Sequence, residues 1–412
     1  MITIKEQALL SEEYIDKLHL RDTFTPLPKD QLALNRGDDG SWWSSYYIGM
    51  TEINGEHLEV QPKWENLDFM SLFSFALSYQ PSSEYFSSCY DINWDKEVVA
   101  STELYNILTP LLVMQYLNVL DKLVSRGLKR DYITVEENLH SKIRGKLKPV
   151  ANWRKNELKK KEDYFYCQYQ VFSSDIPINR LLRKALDISL LLLGNVRSRS
   201  SNMTGLAFLS SKLKLVETFR SIGSNVRPES IRNCKFDKLN VHYAEAVRLA
   251  KCIVRHQENT LHDGSGMKKV PLFWIDMSRL YEVYVLGLLQ ANYPGQILFQ
   301  VKGSYDTQCD YLHVGEGIVL DAKYKLWYAS ENGRRSHAAA MIADVREVSA
   351  YARDERFLSL MDKKVVSPIC IIVHPDEEST KLEPELSVSV KNNKIDGYRD
   401  FYRLGIDLPR LM

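Results

Sequence analysis

Two short strands joined by a glycine-first turn constrain this chain more than any other feature. Tyr305 to Val314 and Gly317 to Lys325 both read as strand, and Gly315-Glu316 between them suits a tight hairpin. Centring the turn on that pair sets Val314 opposite Gly317 and, counting outward, Asp310 opposite Asp321. Directly opposed side chains have Cβ atoms roughly 5 Å apart. Alternation puts Asp321 and Lys323 on one face while Ala322 points the other way. Two carboxylates at that spacing can share a hard divalent cation, Mg2+ or Mn2+, and the lysine offers a positive charge to a phosphodiester. The pattern points to a nuclease.

Alone, an acid-x-lysine at a strand end is most often a solvated edge. Two neighbours shift the balance. Tyr281-Glu282 sits on a strong helical pattern from Asp276 to Gln290, which could bring a third carboxylate to the site. The order helix, strand, strand with acid, strand with acid-x-lysine, helix is that of a restriction-endonuclease-like PD-(D/E)xK α/β core. Pro375-Asp376 follows the lysine instead of preceding it and reads as the turn after a buried strand.

At 412 residues the chain has room for two or three domains, and its net charge of +1 confines any polyanion contact to local patches. Six scattered cysteines without a Cys-x-x-Cys pair argue against disulfides and zinc and for a reducing cytoplasm. No stretch reads as long and apolar enough to cross a membrane, and the N-terminus shows no signal-peptide pattern. A phosphate-binding loop of the Walker type is also missing, so the chain is not expected to hydrolyse a nucleotide by itself.

The first seventy or so residues look β-rich, with Asn54-Gly55 marking a hairpin, and helical spacing follows from Leu67 to Tyr79 and from Thr102 to Val124, capped at Gly127. Lys142 to Lys161 is strongly basic, including Lys142, Arg144 and Lys146, with Trp153 among the charges. Such a run could bind phosphates, contact an acidic partner or be a solvated face. Helices are expected over Arg180 to Leu193, Leu206 to Arg220 and Val241 to His256, and a polar linker over Asn259 to Lys269. The expectation is a multidomain α+β chain: a β-rich and helical N-terminal region (1–170), a helical middle (171–265) and the nuclease core (266–412).

Several of these segments together resemble the McrC family, the nuclease subunit of McrBC modification-dependent restriction systems. The likeness rests on Phe273 to Glu282, on Asp310, and on Val319-Leu320-Asp321-Ala322-Lys323-Tyr324-Lys325. Lys142-Ile143-Arg144-Gly145-Lys146-Leu147, Asn179-Arg180-Leu181-Leu182-Arg183, Asn240, Tyr243 and Leu249-Ala250 extend it, as do Val60-Gln61-Pro62-Lys63 and Asp344, Tyr351 and Ala352. Glu347 stands where the family commonly has glutamine.

The resemblance implies a subunit that cuts modified double-stranded DNA only with a GTP-hydrolysing AAA+ motor, which its N-terminal part engages and stimulates. Asp310 and Asp321 would hold Mg2+ with the Ala322 carbonyl as a further ligand, and Lys323 would orient water or stabilise charge. Glu282 would complete the metal shell or make a structural hydrogen bond, Lys325 would meet the DNA backbone, and Tyr324 and Trp327 would pack. A non-catalytic activator of the motor and a stand-alone nuclease are the alternatives.

Overall fold

The computed structural model describes residues 2–21, 33–37, 39–77, 85–100, 102–197, 213–227, 231, 242–262, 268–361 and 367–411. It is a mixed α+β chain that divides into two units. The first consists of Met1–Leu111, Asn195–Phe208 and Gly264–Met412, and the second of Leu112–Gly194 and Leu209–Asp263.

The first unit opens with β1 (Ile2–Lys5), the short pair β2 (Leu34–Arg36) and β3 (Trp42–Ser44), the hairpin β4 (Tyr47–Ile53) and β5 (Glu56–Gln61), and the long β6 (Tyr90–Ala100). Asn54 and Gly55 both take positive φ, 50° and 86°, as the predicted two-residue hairpin turn demands. Helix Phe69–Ala76 starts where Asp68 accepts from the Ser71 amide at 3.1 Å. It is shorter than the pattern suggests, and Tyr79 lies outside the described residues.

The second unit contributes β7 (Asp131–His140), β8 (Lys146–Leu147) and β9 (Tyr164–Ser173), an antiparallel sheet in the order β7-β9-β8. Three asparagines tie the basic segment to it. Asn156 donates to Asn152 and Asn138 at 2.7 Å each, while Asn152 Oδ1 accepts from the Tyr166 amide at 2.8 Å. Helices Pro177–Arg197 and His242–His262 meet through buried Asn179, whose Oδ1 accepts from the Tyr243 hydroxyl at 3.2 Å. Of the helix predicted over Leu206 to Arg220, the described part is Leu213–Thr218. Asn240 falls outside the described residues.

Helix Thr102–Ser125 corrects one expectation. Its Ile107–Ser125 portion is long and apolar enough to cross a membrane by length and composition. Leu108, Leu111, Leu112, Val113, Met114 and Leu117 are all buried in protein, however, as in the core helix of a globular chain.

The chain returns to the first unit with β10 (Lys268–Asp276), helix Met277–Asn292, β11 (Ile297–Lys302), β12 (Gln308–His313), β13 (Ile318–Ala322), β14 (Ile369–Pro375) and β15 (Phe401–Ile406). β10 overturns the linker reading at its end: Lys268 and Lys269 pair with Ala100 and Val99 of β6, while residues 259–262 complete the preceding helix. Residues 263–267 are outside the described set. β10 lies between β4 and β6 in a sheet ordered β1-β5-β4-β10-β6. The approach to β4 is close enough to require glycine. A Cβ on Gly49, whose φ is +135°, would stand 2.1 Å from the Phe273 carbonyl oxygen.

The other sheet runs β11-β12-β13-β14-β15, antiparallel through β13 and parallel from β13 to β15. All five residues of β13 are buried, as expected of a strand covered on both faces. Helix Ala338–Tyr351 covers one face through Val345, Val348 and Tyr351, in a core with Leu312, Val319, Phe357, Ile372 and Phe401. Helix Met277–Asn292 also packs against β11 and β13. Pro375 ends β14, the buried strand before the predicted turn. β12 and β13 are shorter than their sequence pattern. Ser304–Asp306 forms a tight 3-10 turn before β12, and Leu326–Tyr328 another after β13.

Candidate functional site

The register of the β12–β13 hairpin builds the site. Tyr311 pairs with Leu320, Leu312 with Val319 and His313 with Ile318, the register that continues to Asp310 opposite Asp321. Asp310 Oδ2 reaches across to accept from the Ala322 amide at 2.8 Å. Asp321 is 3% exposed. Beyond the strand end, Lys323 Nζ lies 2.7 Å from Asp321 Oδ2 and 2.8 Å from Glu347 Oε2. The contact with Asp321 is an ion pair without hydrogen-bond alignment, leaving Oδ2 buried with no formal donor.

Glu282 arrives on helix Met277–Asn292, whose first turn is capped by Asp276 accepting from the Arg279 amide at 2.8 Å. One helical turn apart, Arg279 Nη1 donates to Glu282 Oε2 at 3.0 Å. Arg279 Nη2 also donates to Gln300 Oε1 at 2.9 Å. Gln300 has φ of 49° within β11.

Electrostatics bind the group together. Burial, then repulsion from Glu282, pushes Asp310 up to about 7. Burial and the Asp310 charge push Asp321 up to about 8. Burial raises Glu282 to about 7 against the opposing pull of Arg279. For Lys323 burial works against charge, but Asp321 and Glu347 outweigh it and hold the ammonium above its ordinary value. Glu347 goes the other way: burial is overcome by Lys323 and by the Tyr351 hydroxyl, which donates at 2.9 Å. One buried and two half-buried carboxylates near neutrality mark a site short of positive charge.

Their donor type, oxygen only, fits a hard divalent cation. Among the described residues no three His, Cys, Asp or Glu side chains stand as a ready-made ligand group, so Lys323 supplies the counter-charge in the geometry seen here.

The remaining predicted residues separate. Ala322 closes β13, and its amide serves Asp310. Lys325 Nζ is 2.8 Å from both oxygens of buried Asp344, which also accepts from the Tyr328 hydroxyl at 2.6 Å. Lys142, Arg144 and Lys146 belong to the other unit, where the Arg144 guanidinium lies 4.3 Å over the Tyr169 ring. Tyr324 is buried, and Trp327 stacks on Tyr328 and His337, so both pack as expected.

Sequence reasoning missed Arg279, Gln300 and a charged knot behind Tyr324. Arg279 carried a readable signal, its i,i+3 spacing to Glu282. In the knot, Glu6 Oε1 accepts from the Tyr324 hydroxyl at 2.9 Å and from the Lys63 amide at 3.1 Å. Lys63 Nζ sits 3.7 Å over the Tyr324 ring and donates to the Tyr324 carbonyl at 3.1 Å.

Residues 44–355 match the family described as McrBC 5-methylcytosine restriction system component. No curated protein matches the chain. Among solved structures, a half-complex from a tetradecameric assembly of Thermococcus gammatolerans McrB AAA+ hexamers with bound McrC aligns at 16% identity, covering 98% of this chain and 94% of the other, with a TM-score of 0.36. The Thermococcus gammatolerans McrBC complex aligns at 16% identity over 71% and 87%, with a TM-score of 0.29.

Proposed function

The chain belongs to the McrBC 5-methylcytosine restriction system family, and on that premise we propose that it is the DNA-cleaving subunit of such a system. Its reaction is metal-assisted hydrolysis of a phosphodiester in modified double-stranded DNA, on a restriction-endonuclease-like PD-(D/E)xK core formed by β11–β15. One observation carries the reading: the hairpin register that opposes Asp310 and Asp321 and seats Lys323 against Asp321.

Asp310, Asp321 and the Ala322 carbonyl would hold Mg2+ or Mn2+, with Glu282 as an additional carboxylate. Such an ion, when bound, polarises the phosphate and lowers the pKa of a bound water. The protein's own contribution is charge placement. Lys323 stays an ammonium beside Glu347, whose carboxylate is held below its ordinary value, so it can stabilise the negative charge that grows on the phosphate oxygens. Lys325 serves the scaffold, pinning the strand exit to helix Ala338–Tyr351 through Asp344.

Membership of the McrBC family makes an AAA+ motor the partner in this reading, with GTP as its fuel. The test assembles the chain with its motor and assays cleavage of 5-methylcytosine DNA with GTP and Mg2+. Asp321→Ala and Lys323→Ala should each lower cleavage by at least about a hundredfold while leaving assembly intact. If both cut like the parent, the site is misassigned. Parent cleavage with metal alone would make the chain a stand-alone nuclease, and motor stimulation without cleavage would make it an activator.

A further inference from the structure

The loop joining β11 to β12 presents an aromatic ring to solvent at a cost in backbone conformation. Tyr305 is 100% exposed, the most exposed large hydrophobic side chain among the described residues. It and Asp306 are consecutive left-handed residues, with φ of 54° and 57°, a conformation that side-chain-bearing residues seldom adopt.

The surrounding protein enforces this shape. Asp354 accepts from the Ser304 amide at 2.6 Å and from the Ser304 hydroxyl at 3.1 Å, and Arg356 Nη1 donates to the Gly303 carbonyl at 2.9 Å. Gly303 and Thr307 close the loop, amide to carbonyl, at 2.8 Å. A Cβ on Gly303 would stand 2.5 Å from Asp354 Oδ2 and 2.6 Å from the Phe357 ring. Strain held this firmly, around a ring left wholly exposed, is a mark of a site built for a ligand outside the chain.

Position identifies the ligand. The loop precedes Gln308 at the end of the sheet where Asp310 faces Asp321. Five residues separate Tyr305 from Asp310, at most roughly 18 Å of extended chain, or about five base steps of a duplex. The ring's chain neighbours, Gly303, Ser304, Asp306 and Thr307, are small or polar, whereas a protein-docking anchor sits in an apolar surround. A base needs only the face of the ring, and such stacking tolerates any sequence.

We propose that Tyr305 is a DNA-binding residue whose ring stacks on a partly unstacked base within about five steps of the cleaved phosphate. This rests on the nuclease reading above. Its rigid loop fixes the backbone from which the ring projects, so only the freedom of the side chain is lost on contact.

The experiment measures cleavage by the chain assembled with its motor on a 5-methylcytosine duplex carrying 2-aminopurine near the cut. Tyr305→Ala should raise the KM for DNA roughly 5- to 150-fold, the loss of one stacked base, with kcat within about twofold. Tyr305→Phe should restore KM and the stacking-dependent quenching of 2-aminopurine. Equal KM in the parent and Tyr305→Ala overturns the assignment, as does equal loss in Ala and Phe, which would make the hydroxyl the contact. Failed motor assembly by Tyr305→Ala with normal cleavage per assembled complex overturns it in favour of a protein contact. A parent that never cleaves sinks the nuclease reading itself.

Discussion

Lys63→Met would leave the Glu6 carboxylate buried without its cation. Glu6 is 2% exposed, and burial pushes its carboxyl up and the Lys63 ammonium down to about 8, while each holds the other charged. The substitution also removes the cation over the Tyr324 ring and the bond to the Tyr324 carbonyl. Breaking one side of a buried pair costs about 3–5 kcal/mol. For a unit of this size each kcal/mol is worth roughly 2 °C, so calorimetry near pH 7 should show its melting fall by about 6–10 °C.

The pH dependence follows from the sign of the shift. Without Lys63 the folded-state pKa of Glu6 climbs further above its ordinary value. The penalty is therefore present above that raised pKa and fades as the pH drops towards about 4.5. The deficit near pH 5 should be smaller than near pH 7, and a Glu6→Gln, Lys63→Met double variant should regain at least about half of it. A Lys63→Met chain melting within about 1 °C of the parent near pH 7 would refute the ionic description. So would a deficit that does not change with pH.

Two further perturbations probe the site and its support. Asp310, Asp321 and Glu282 are raised to about 7, 8 and 7, so between about pH 4 and pH 8 the folded chain holds protons that the unfolded chain releases. In chelator its melting temperature should therefore fall as the pH rises through that window. Added Mg2+ should raise it more near pH 8 than near pH 6, and Asp321→Asn should flatten both trends. A pH-independent Mg2+ shift would place the ion elsewhere. Gly49→Ala drives a methyl into the Phe273 carbonyl and should destabilise the first unit by more than about 3 kcal/mol, seen as lost hydrogen-exchange protection along β10. Unchanged protection would mean that β4 and β10 do not pair this closely.

Local rules explain what was legible. The Gly315-Glu316 turn fixed a register by counting alone, and Asn54-Gly55 did the same for β4 and β5, because hairpin partners are near neighbours in the chain. The helix bearing Glu282 showed itself through periodicity. Distant pairings stayed hidden. Nothing in Lys268–Asp276 says that it lies between β4 and β6, and nothing in Lys63 announces Tyr324. Tyr305 was read as strand, since alternation cannot reveal that Asp354, about fifty residues away, bends the chain into a left-handed turn.

The placement of β10 also sets an order of events during synthesis. β4 and β6 are complete by residue 100, yet the strand that joins them ends at Asp276. At roughly 5–20 residues per second, the ribosome leaves those two edges without their partner for about 10–35 s. A nascent chain in that interval carries open strand edges that invite wrong pairing. When β10 enters, Asp276 ends the strand and caps the helix that carries Glu282. Glu282, Asp310 and Asp321 all follow β10 in the chain, so a product of translation truncated before that strand would lack the carboxylate cluster.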